Sequence, residues 1–400
     1  MSTARRVLLI AGIVVVAANL RTALTSVGPL LGPIRADLEL SAGAAGFLVG
    51  ALPLLTFAVV SPQVSRMVKR TGVDQLLWLG LIVLVIGILL RSIPVTALLW
   101  IGTVLLASGI AVGNVLLPGV IKRDFPGQIG QMTGVYSATM NVVGAIASGV
   151  AVPLAGTLPG GWRTALGFWA GLVLIAVAVW APQLSRRATT AAGADDLSAQ
   201  GTTTTTTTTA VTPWRSPLAW QVAAFMGMGS WIFYTMISWY PTVLHSFGAG
   251  EAAAGWLLSV YQMLGVVMSL TVPVVLHRLA DQRMVAVAAS VALVVGFLGL
   301  LLAPDLAVLW VVITGMGSGT AFLLALSFFS LRAADARSAA ALSGMGQSVA
   351  YLFATVGPVL FGALNDVTGG WSVPLWVLIV LATAQAGVGL RAGRDTQVQT

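Results

Sequence analysis

The chain has 400 residues, of which 58% are hydrophobic and 8% are charged. Soluble domains carry roughly 25% charged residues, and a water-soluble fold could not hide the apolar surface implied by a mean hydropathy of +0.95. The sequence has no cysteine, which removes disulfides, thiolate catalysis and cysteine-ligated metals. The composition predicts a polytopic membrane protein and excludes a soluble enzyme, a nucleic-acid module and a secreted disulfide scaffold.

Twelve stretches of the sequence are long and apolar enough to cross a bilayer, which takes about 20 residues. We predict spans at residues 7–30, 42–64, 75–93, 97–120, 131–156, 164–181, 217–241, 252–276, 284–303, 306–330, 339–363 and 373–391. The first stretch could also begin a cleaved signal peptide. It runs past the usual length of such a segment into Asn19-Leu20-Arg21, so a retained first span is favoured.

The basic residues of the loops predict the orientation of the spans. Sixteen Lys and Arg residues fall on the side of the N-terminus, and three, Arg35, Arg91 and Arg163, fall on the other side. Loops rich in Lys and Arg stay in the cytoplasm, so we expect both termini there, in a bacterial-type cytoplasmic (inner) membrane. The net charge of +8 is assigned to these loops and not to nucleic-acid binding.

A hydrophilic stretch divides the spans into six and six. It covers residues 183–216 and contains eight consecutive threonines, Thr202 to Thr209, which have no apolar face to bury. We predict a flexible cytoplasmic linker there, with six-helix bundles at residues 1–182 and 217–400. The two bundles also share a repeated sequence pattern. Ala44-Ala45-Gly46-Phe47-Leu48 in the first resembles Ala253-Ala254-Gly255-Trp256-Leu257 in the second. Such matches indicate a duplication.

Two six-helix halves joined by a long linker resemble the plan of the major facilitator superfamily. The resemblance implies an all-α membrane fold with two pseudo-symmetric bundles, and a substrate site near mid-membrane between them. It also implies that spans 1, 4, 7 and 10 line the cavity. The gating loop that the superfamily carries after span two keeps its basic residues here, as Arg66, Lys69 and Arg70, but lacks the usual glycine and aspartate.

A closer resemblance rests on more specific strings. Asn19-Leu20-Arg21-Thr22-Ala23, Ser26-Val27-Gly28-Pro29, Ser61-Pro62, Gly113-Asn114-Val115-Leu116-Leu117-Pro118, Lys122-Arg123-Asp124-Phe125-Pro126 and Gly134-Val135-Tyr136-Ser137 are similar to the bacterial cyanate-permease/nitroimidazole-transporter family. The resemblance is strongest in the first half of the chain. It implies small polar or anionic substrates without fixing one of them.

Arg21 is the one charged residue that we place inside an apolar span, since the others fall in loops or at helix edges. It follows Arg6 by 15 residues, roughly 22 Å along a helix, so it lies past the membrane middle. An intramembrane arginine costs at least about 2.5 kcal/mol and indicates a functional site; the alternative is a snorkelling side chain at the interface. An arginine without a nearby carboxylate suits an anionic or strongly dipolar ligand.

Polar and aromatic side chains of other spans complete the predicted binding site. Trp231 and Tyr234 lie deep in span 7 and are expected to stack on a flat ligand, whereas Trp239 and Tyr240 are assigned belt or packing roles. For Asn114, hydrogen bonding between helices is an equal alternative. Besides Arg21, the predicted substrate-binding residues are Asn19, Thr25, Asn114, Tyr136, Asn141, Trp231, Tyr234, Gln262, Gln347 and Tyr351.

These features predict a secondary active transporter that moves a small anionic or dipolar solute by alternating access, with flat heteroaromatics among the candidate solutes. The alternative is a multidrug-type exporter of the same fold for neutral lipophilic compounds. No carboxylate or histidine is found at depth, so coupling to a proton or a counter-solute stays open. We expect no catalytic residues, no metal and no cofactor. The expected partners are the solute and the lipid bilayer, and we expect a monomer.

Overall fold

A computed structural model describes residues 3–125, 128–188, 213–276, 279, 281–333 and 336–396. Its α-helices run over Thr3–Thr25, Leu31–Leu38, Ala42–Gly46, Leu52–Thr71, Val73–Arg91, Thr96–Asp124, Ile129–Thr157, Trp162–Phe168, Ala170–Ala188, Pro217–Ser246, Glu251–Leu276, Arg283–Leu302, Ala307–Leu331, Ala336–Thr368 and Ser372–Ala392. Short 3-10 helices cover Gly28–Leu30, Pro213–Arg215 and Pro304–Leu306, and a π-helix covers Phe47–Ala51. No strand is present in these described ranges.

The helices form twelve candidate membrane spans, which confirms the predicted fold class. We number them span 1 to span 12 in chain order. Consecutive spans cross in opposite directions, so span 1 begins and span 12 ends on the same side. That side is called the termini side here, and the opposite side is called the far side.

Three spans are interrupted where the sequence predicted continuous helices. The first helix ends at Thr25 and resumes at Leu31, with the 3-10 turn Gly28–Leu30 between them. Gly28 is needed at this break because a Cβ there would meet the carbonyl oxygen of Ile237 in span 7. Span 2 contains the π-helix, and span 6 breaks at Trp169. Hydropathy alone does not register such breaks, because the residues on both sides are equally apolar.

Within the first half, glycines let spans 3 and 4 lie against each other backbone to backbone. A Cβ added to Gly102 would lie 2.6 Å from the carbonyl oxygen of Gly87. Small residues drive helix association in lipid in this way, because lipid gives no hydrophobic force between helices. Spans 3, 6, 9 and 12 make their main contacts within their own half, as expected for the outer spans.

The two halves contact each other at the far side. Gly46 in span 2 lies against the carbonyl of Pro358 in span 11, and Gly255 in span 8 lies against the carbonyl of Ser148 in span 5. These are the two glycines of the repeated Ala-Ala-Gly sequence, so the repeat marks the equivalent close approaches. In the described ranges, and apart from contacts of Arg21, the hydrogen bonds and ion pairs that join the halves lie on this side.

The predicted linker is described only at its ends. The helix of span 6 continues to Ala188, past the predicted linker start at residue 183, because its polar last turn extends a helix that hydropathy ends early. Residues 189–212, which include the threonine run, lie outside the described ranges. The bundle boundaries at residues 1–182 and 217–400 stay predictions.

Candidate functional site

Arg21 lies one turn before the first helix of span 1 ends, and it contacts both halves of the molecule. Its Nη1 donates a hydrogen bond to Oδ1 of Asn141 in span 5. Its guanidinium carbon lies 5.0 Å from the ring centroid of Phe233 in span 7, within cation–π range. Arg21 forms no ion pair with a carboxylate in the described part of the chain, so a neutral amide and an aromatic face surround its positive charge.

Span 5 is fixed against this arginine by further hydrogen bonds. Asn141 donates from Nδ2 to the carbonyl of Ser137 at 2.8 Å, which leaves its Oδ1 to accept from Arg21. Thr25 donates to the carbonyl of Gly144 at 2.8 Å. Gly144 also leaves room for the arginine stem, because a Cβ there would lie 3.2 Å from Arg21 Cγ. The guanidinium is therefore held at a defined position.

Aromatic side chains of spans 7 and 11 lie near the guanidinium. Tyr234 of span 7 lines the same pocket as Arg21. The rings of Tyr234 and Tyr351 meet edge to face at 6.3 Å. These aromatic faces and hydroxyls can support a flat, polar solute beside the arginine.

A small pocket opens beside Arg21 between the two halves. It is lined by Arg21, Leu24, Thr25, Val49, Gly50, Pro53, Leu54, Phe57, Tyr234, Ile237 and Ser238. Most of the lining is apolar, and the few polar groups gather around the arginine. This combination is typical of small-molecule sites, where a small number of polar groups fix the orientation of the ligand.

Two predicted site residues serve helix packing instead. Asn19 is 2% exposed and donates to the carbonyls of Val15 and Leu172, so it joins span 1 to span 6. Two residues along a helix turn the side chain by about 200°, which points Asn19 away from the Arg21 face. Gln262 is buried at the far-side interface and donates to Ser148 Oγ at 2.9 Å. Neither residue lines the pocket.

The aromatic residues of span 7 divide differently from the prediction. Trp231 packs edge to face on Phe353 of span 11 at 4.6 Å and is not among the pocket-lining residues. The belt interpretation of Trp239 and Tyr240 is wrong, since both are fully buried. Trp239 donates to the carbonyl of Pro358 and Tyr240 bonds to Thr314, so their packing alternative holds.

The remaining predicted residues lie at varied positions around the site. Tyr136 packs against the core of the first half while it remains within the field of Arg21. Gln347 in span 11 donates to Ser343 Oγ at 2.8 Å, one turn away in the same helix. Asn114 in span 4 is half-buried and does not line the pocket.

The termini side carries an ion cluster next to the predicted gating loop. Arg70 is exposed, and the side chains of Arg66 and Lys69 lie outside the described part. Beyond the loop, Arg123 binds both Asp74 and Asp124, at 3.0 and 2.7 Å. Burial acts to lower the pKa of Arg123, but hydrogen bonds to the two carboxylates outweigh it and raise that pKa. The cluster holds the ends of spans 3 and 4 together.

Arg91 and Arg332 lie at helix ends, as predicted, but both are buried. Arg91 is 2% exposed and Arg332 is 1% exposed. Arg332 donates to the Ala392 carbonyl and to Gln282. These bonds connect the end of span 10 to the start of span 9 and to the end of span 12. Both follow an apolar span in sequence and so resemble loop residues.

The sequence analysis did not select Phe233, which stacks on Arg21. Its place in the aromatic run of span 7 was the available signal.

Comparison with known proteins identifies the family of this chain. The sequence model of the Major Facilitator Superfamily matches residues 9–355. This chain belongs to the major facilitator superfamily. Over 401 residues the chain is 41% identical to the 2-nitroimidazole transporter of Escherichia coli (strain K12), covering 100% of this chain and 98% of that protein. Over 364 residues it is 27% identical to the cyanate transport protein CynX of the same organism, covering 90% of each.

Solved structures agree with the fold of this major facilitator protein. A bacterial homologue of the human lysosomal transporter Spinster, crystallised in an inward-facing and occupied conformation, matches 99% of this chain and 98% of its own with a TM-score of 0.79 and 15% sequence identity. The chain is therefore a multi-pass membrane protein of a transporter family. In the described residues, no cluster of three or more His, Cys, Asp or Glu residues that could hold a metal ion is found.

Proposed function

We propose that this chain is a secondary transporter for a small anionic or strongly dipolar solute, a class that includes flat heteroaromatics. The observation that carries the proposal is Arg21, whose guanidinium pairs with no carboxylate of the described residues and lies beside a pocket between the halves. A planar fork of donors binds an anion or a nitro or carbonyl dipole more strongly than it binds a neutral amide. The relatives named for 2-nitroimidazole and cyanate transport support this solute class.

Aromatic groups would hold the flat part of the solute. Phe233 lies on one side of the guanidinium, and Tyr234 contributes both a ring and a hydroxyl to the pocket region. Leu24, Phe57 and Ile237 supply apolar surface next to them. The apolar share of the lining also favours the second candidate, an exporter of neutral lipophilic compounds, which would not need Arg21.

Transport would follow alternating access between the two halves. The far-side contacts of Asp366, Gly46 and Gln262 hold the halves together on that side, so they have to separate for the solute to reach the pocket from there. By its basic loops the chain would lie in the cytoplasmic membrane with both termini in the cytoplasm. We propose that it works as a monomer, since each chain contains its own pocket.

A ligand-binding screen separates the two candidates. Small anions and flat heteroaromatics are titrated against the purified protein, against Arg21→Gln and against Arg21→Lys, with thermal unfolding as the readout. A hydrogen bond to a charged group contributes about 1.5–3 kcal/mol, so Arg21→Gln is expected to weaken binding about 10- to 100-fold. Arg21→Lys keeps the charge without the planar fork and should fall between.

The matched control is Arg163→Gln, which removes an arginine that pairs with Asp37 outside the pocket. It should bind every solute as the unmodified protein does. Unchanged anion affinity in Arg21→Gln would contradict the proposed site, and selective binding of neutral lipophiles by both proteins would favour the exporter.

Coupling is tested separately in proteoliposomes. No carboxylate lines the Arg21 pocket in the described residues, so we expect a facilitator, an exchanger, or symport in which the solute itself carries the proton. A pH gradient should then drive uptake only of solutes that can bind a proton. Proton-driven uptake of a solute that has no titratable group would refute this expectation.

A further inference from the structure

Arg91 ends span 3 and has no charged partner in the described part of the chain. Its side chain is 2% exposed. Nη1 donates to the carbonyl of Ala23 in span 1 at 2.8 Å. Nε and Nη2 are buried and have no hydrogen-bond partner among the described residues. Two donor nitrogens of a buried guanidinium are therefore unused there, which the Arg21 site does not explain.

A buried cation in this situation needs a counter-charge from outside the chain. Removing an ion from water without a partner costs several kcal/mol at the least, and arginine stays protonated in proteins. One carbonyl bond from Ala23 offsets only part of this cost. The other buried arginine, Arg332, shows the usual solution, because it binds a carbonyl and an amide and faces Asp395 at 3.8 Å.

The Arg91 side chain, which carries the unused donors, lines a pocket that differs from the Arg21 pocket. This pocket is small and is lined by Leu24, Val27, Ile34, Leu48, Val49, Pro53, Arg91, Leu99, Thr103 and Leu166. Thr103 donates its hydroxyl hydrogen to the carbonyl of Leu99 at 2.7 Å. Arg91 is therefore the only charged group in the lining, and the apolar walls suit a compact, weakly hydrated ion.

The position of the pocket restricts its occupant. Leu24, Val49 and Pro53 line both this pocket and the Arg21 pocket, so the two pockets are neighbours. A lipid headgroup is too large to reach a guanidinium that is almost fully covered by protein. The apolar side chains leave space in the pocket for a small ion.

We propose that the Arg91 pocket is a second anion site, which takes a small monovalent inorganic anion such as chloride. The anion accepts hydrogen bonds from Nε and Nη2 and neutralises the guanidinium inside the first half. It is separate from the solute site at Arg21, although the two pockets share a wall. The same chemistry could be supplied by the anionic head of a transported solute, and the test below distinguishes these sources.

The test measures thermal unfolding of the purified protein in gluconate buffer while chloride or bromide is added. A ligand that binds only the folded state raises the unfolding temperature in a saturable way. We expect this rise in the unmodified protein and in Arg21→Gln, and we expect its loss in Arg91→Met. Loss in Arg21→Gln, or a full rise in Arg91→Met, would overturn the proposal. A rise with formate but not with chloride would also overturn it, in favour of a solute head group.

A second variant covers the case in which Arg91→Met does not fold. Leu99→Phe keeps the arginine but fills the pocket, so it should fold and lose the chloride response; a retained response would overturn the proposal. Bromide anomalous scattering from crystals then locates the ion. A peak within about 4 Å of the Arg91 guanidinium, at hydrogen-bonding distance from its nitrogens, is expected. A bromide peak only beside Arg21 would refute the second site.

Discussion

Asp366 at the end of span 11 is the residue whose loss should most directly loosen the contact between the halves. Its two carboxylate oxygens accept the backbone N–H groups of Ala42 and Gly43, each at 2.8 Å. These donors begin the first helix of span 2, where the helix dipole favours a negative charge. Arg35 adds an ion pair at 3.6 Å. A carboxylate of the second half thus caps a helix of the first half.

The size of the effect follows from these contacts. Asp366→Asn keeps one acceptor oxygen for the helix terminus but loses the charge and the second acceptor. The ion pair with Arg35 is partly exposed and contributes about 0–1 kcal/mol, while a cap at a helix N-terminus contributes about 0.5–2 kcal/mol. A combined loss of about 0.5–3 kcal/mol would change the ratio of closed to open far-side states about 2- to 150-fold.

Spin-label distances measure this ratio directly. The chain has no native cysteine, so a pair introduced at Thr157 and Leu306 is labelled without background. Both positions are exposed, on the far side, and in different halves. We expect a short distance in the parent protein and a new, longer population in Asp366→Asn.

The control for this experiment is Asp37→Asn. Asp37 pairs with Arg163 at 2.6 Å within the first half, so its loss removes a carboxylate from the same side without touching the contact between halves. Its distance distribution should equal that of the parent. If Asp366→Asn also left the distribution unchanged in a membrane, the carboxylate would not stabilise the closed far side and the reasoning would be wrong.

Two further predictions address the glycine contact and the charge at the site. Gly46→Ala should shift the same spin-label distances toward opening, because its Cβ would meet the carbonyl of Pro358, whereas Gly32→Ala should not, since Gly32 faces open space. Asn141→Asp should weaken anion binding at least about 10-fold, because the new carboxylate would neutralise Arg21; titration calorimetry measures this, and wild-type affinity would refute the role of an unpaired charge.

The spans could be predicted from sequence because lipid requires each crossing segment to be both apolar and helical. Span 5 was expected at 131–156 and runs over Ile129–Thr157. The breaks in spans 1, 2 and 6 could not be predicted, since they depend on which helix lies alongside. Gly28 illustrates this point, because a side chain there is excluded by a carbonyl of span 7 that no local pattern of span 1 contains.

The site could be predicted from sequence only where a residue departs from the apolar pattern of its membrane span. Arg21 stands out as a charge within an apolar run, and its neighbour in the next turn, Thr25, follows from helical spacing. Asn19 donates to the carbonyl of Leu172 in span 6, a contact that the local pattern of span 1 does not contain. Arg91 lies at a helix end, as predicted, but its burial was not predicted, because it depends on contacts with other spans such as the one with Ala23. Hydropathy is averaged along the chain, so it contains no information about burial of a side chain by other segments.

The position of Arg21 explains how solute binding could depend on whether the far side is closed. Arg21 is bonded to Asn141 of its own half and faces Phe233 of the other half. Separation of the halves would move Phe233 and Tyr234 away from the guanidinium. A ligand shifts an equilibrium only by its difference in affinity for the two states. A flat anion that reaches from Arg21 to span 7 therefore favours the closed far side, whereas an anion too short to reach span 7 binds both states equally and shifts neither.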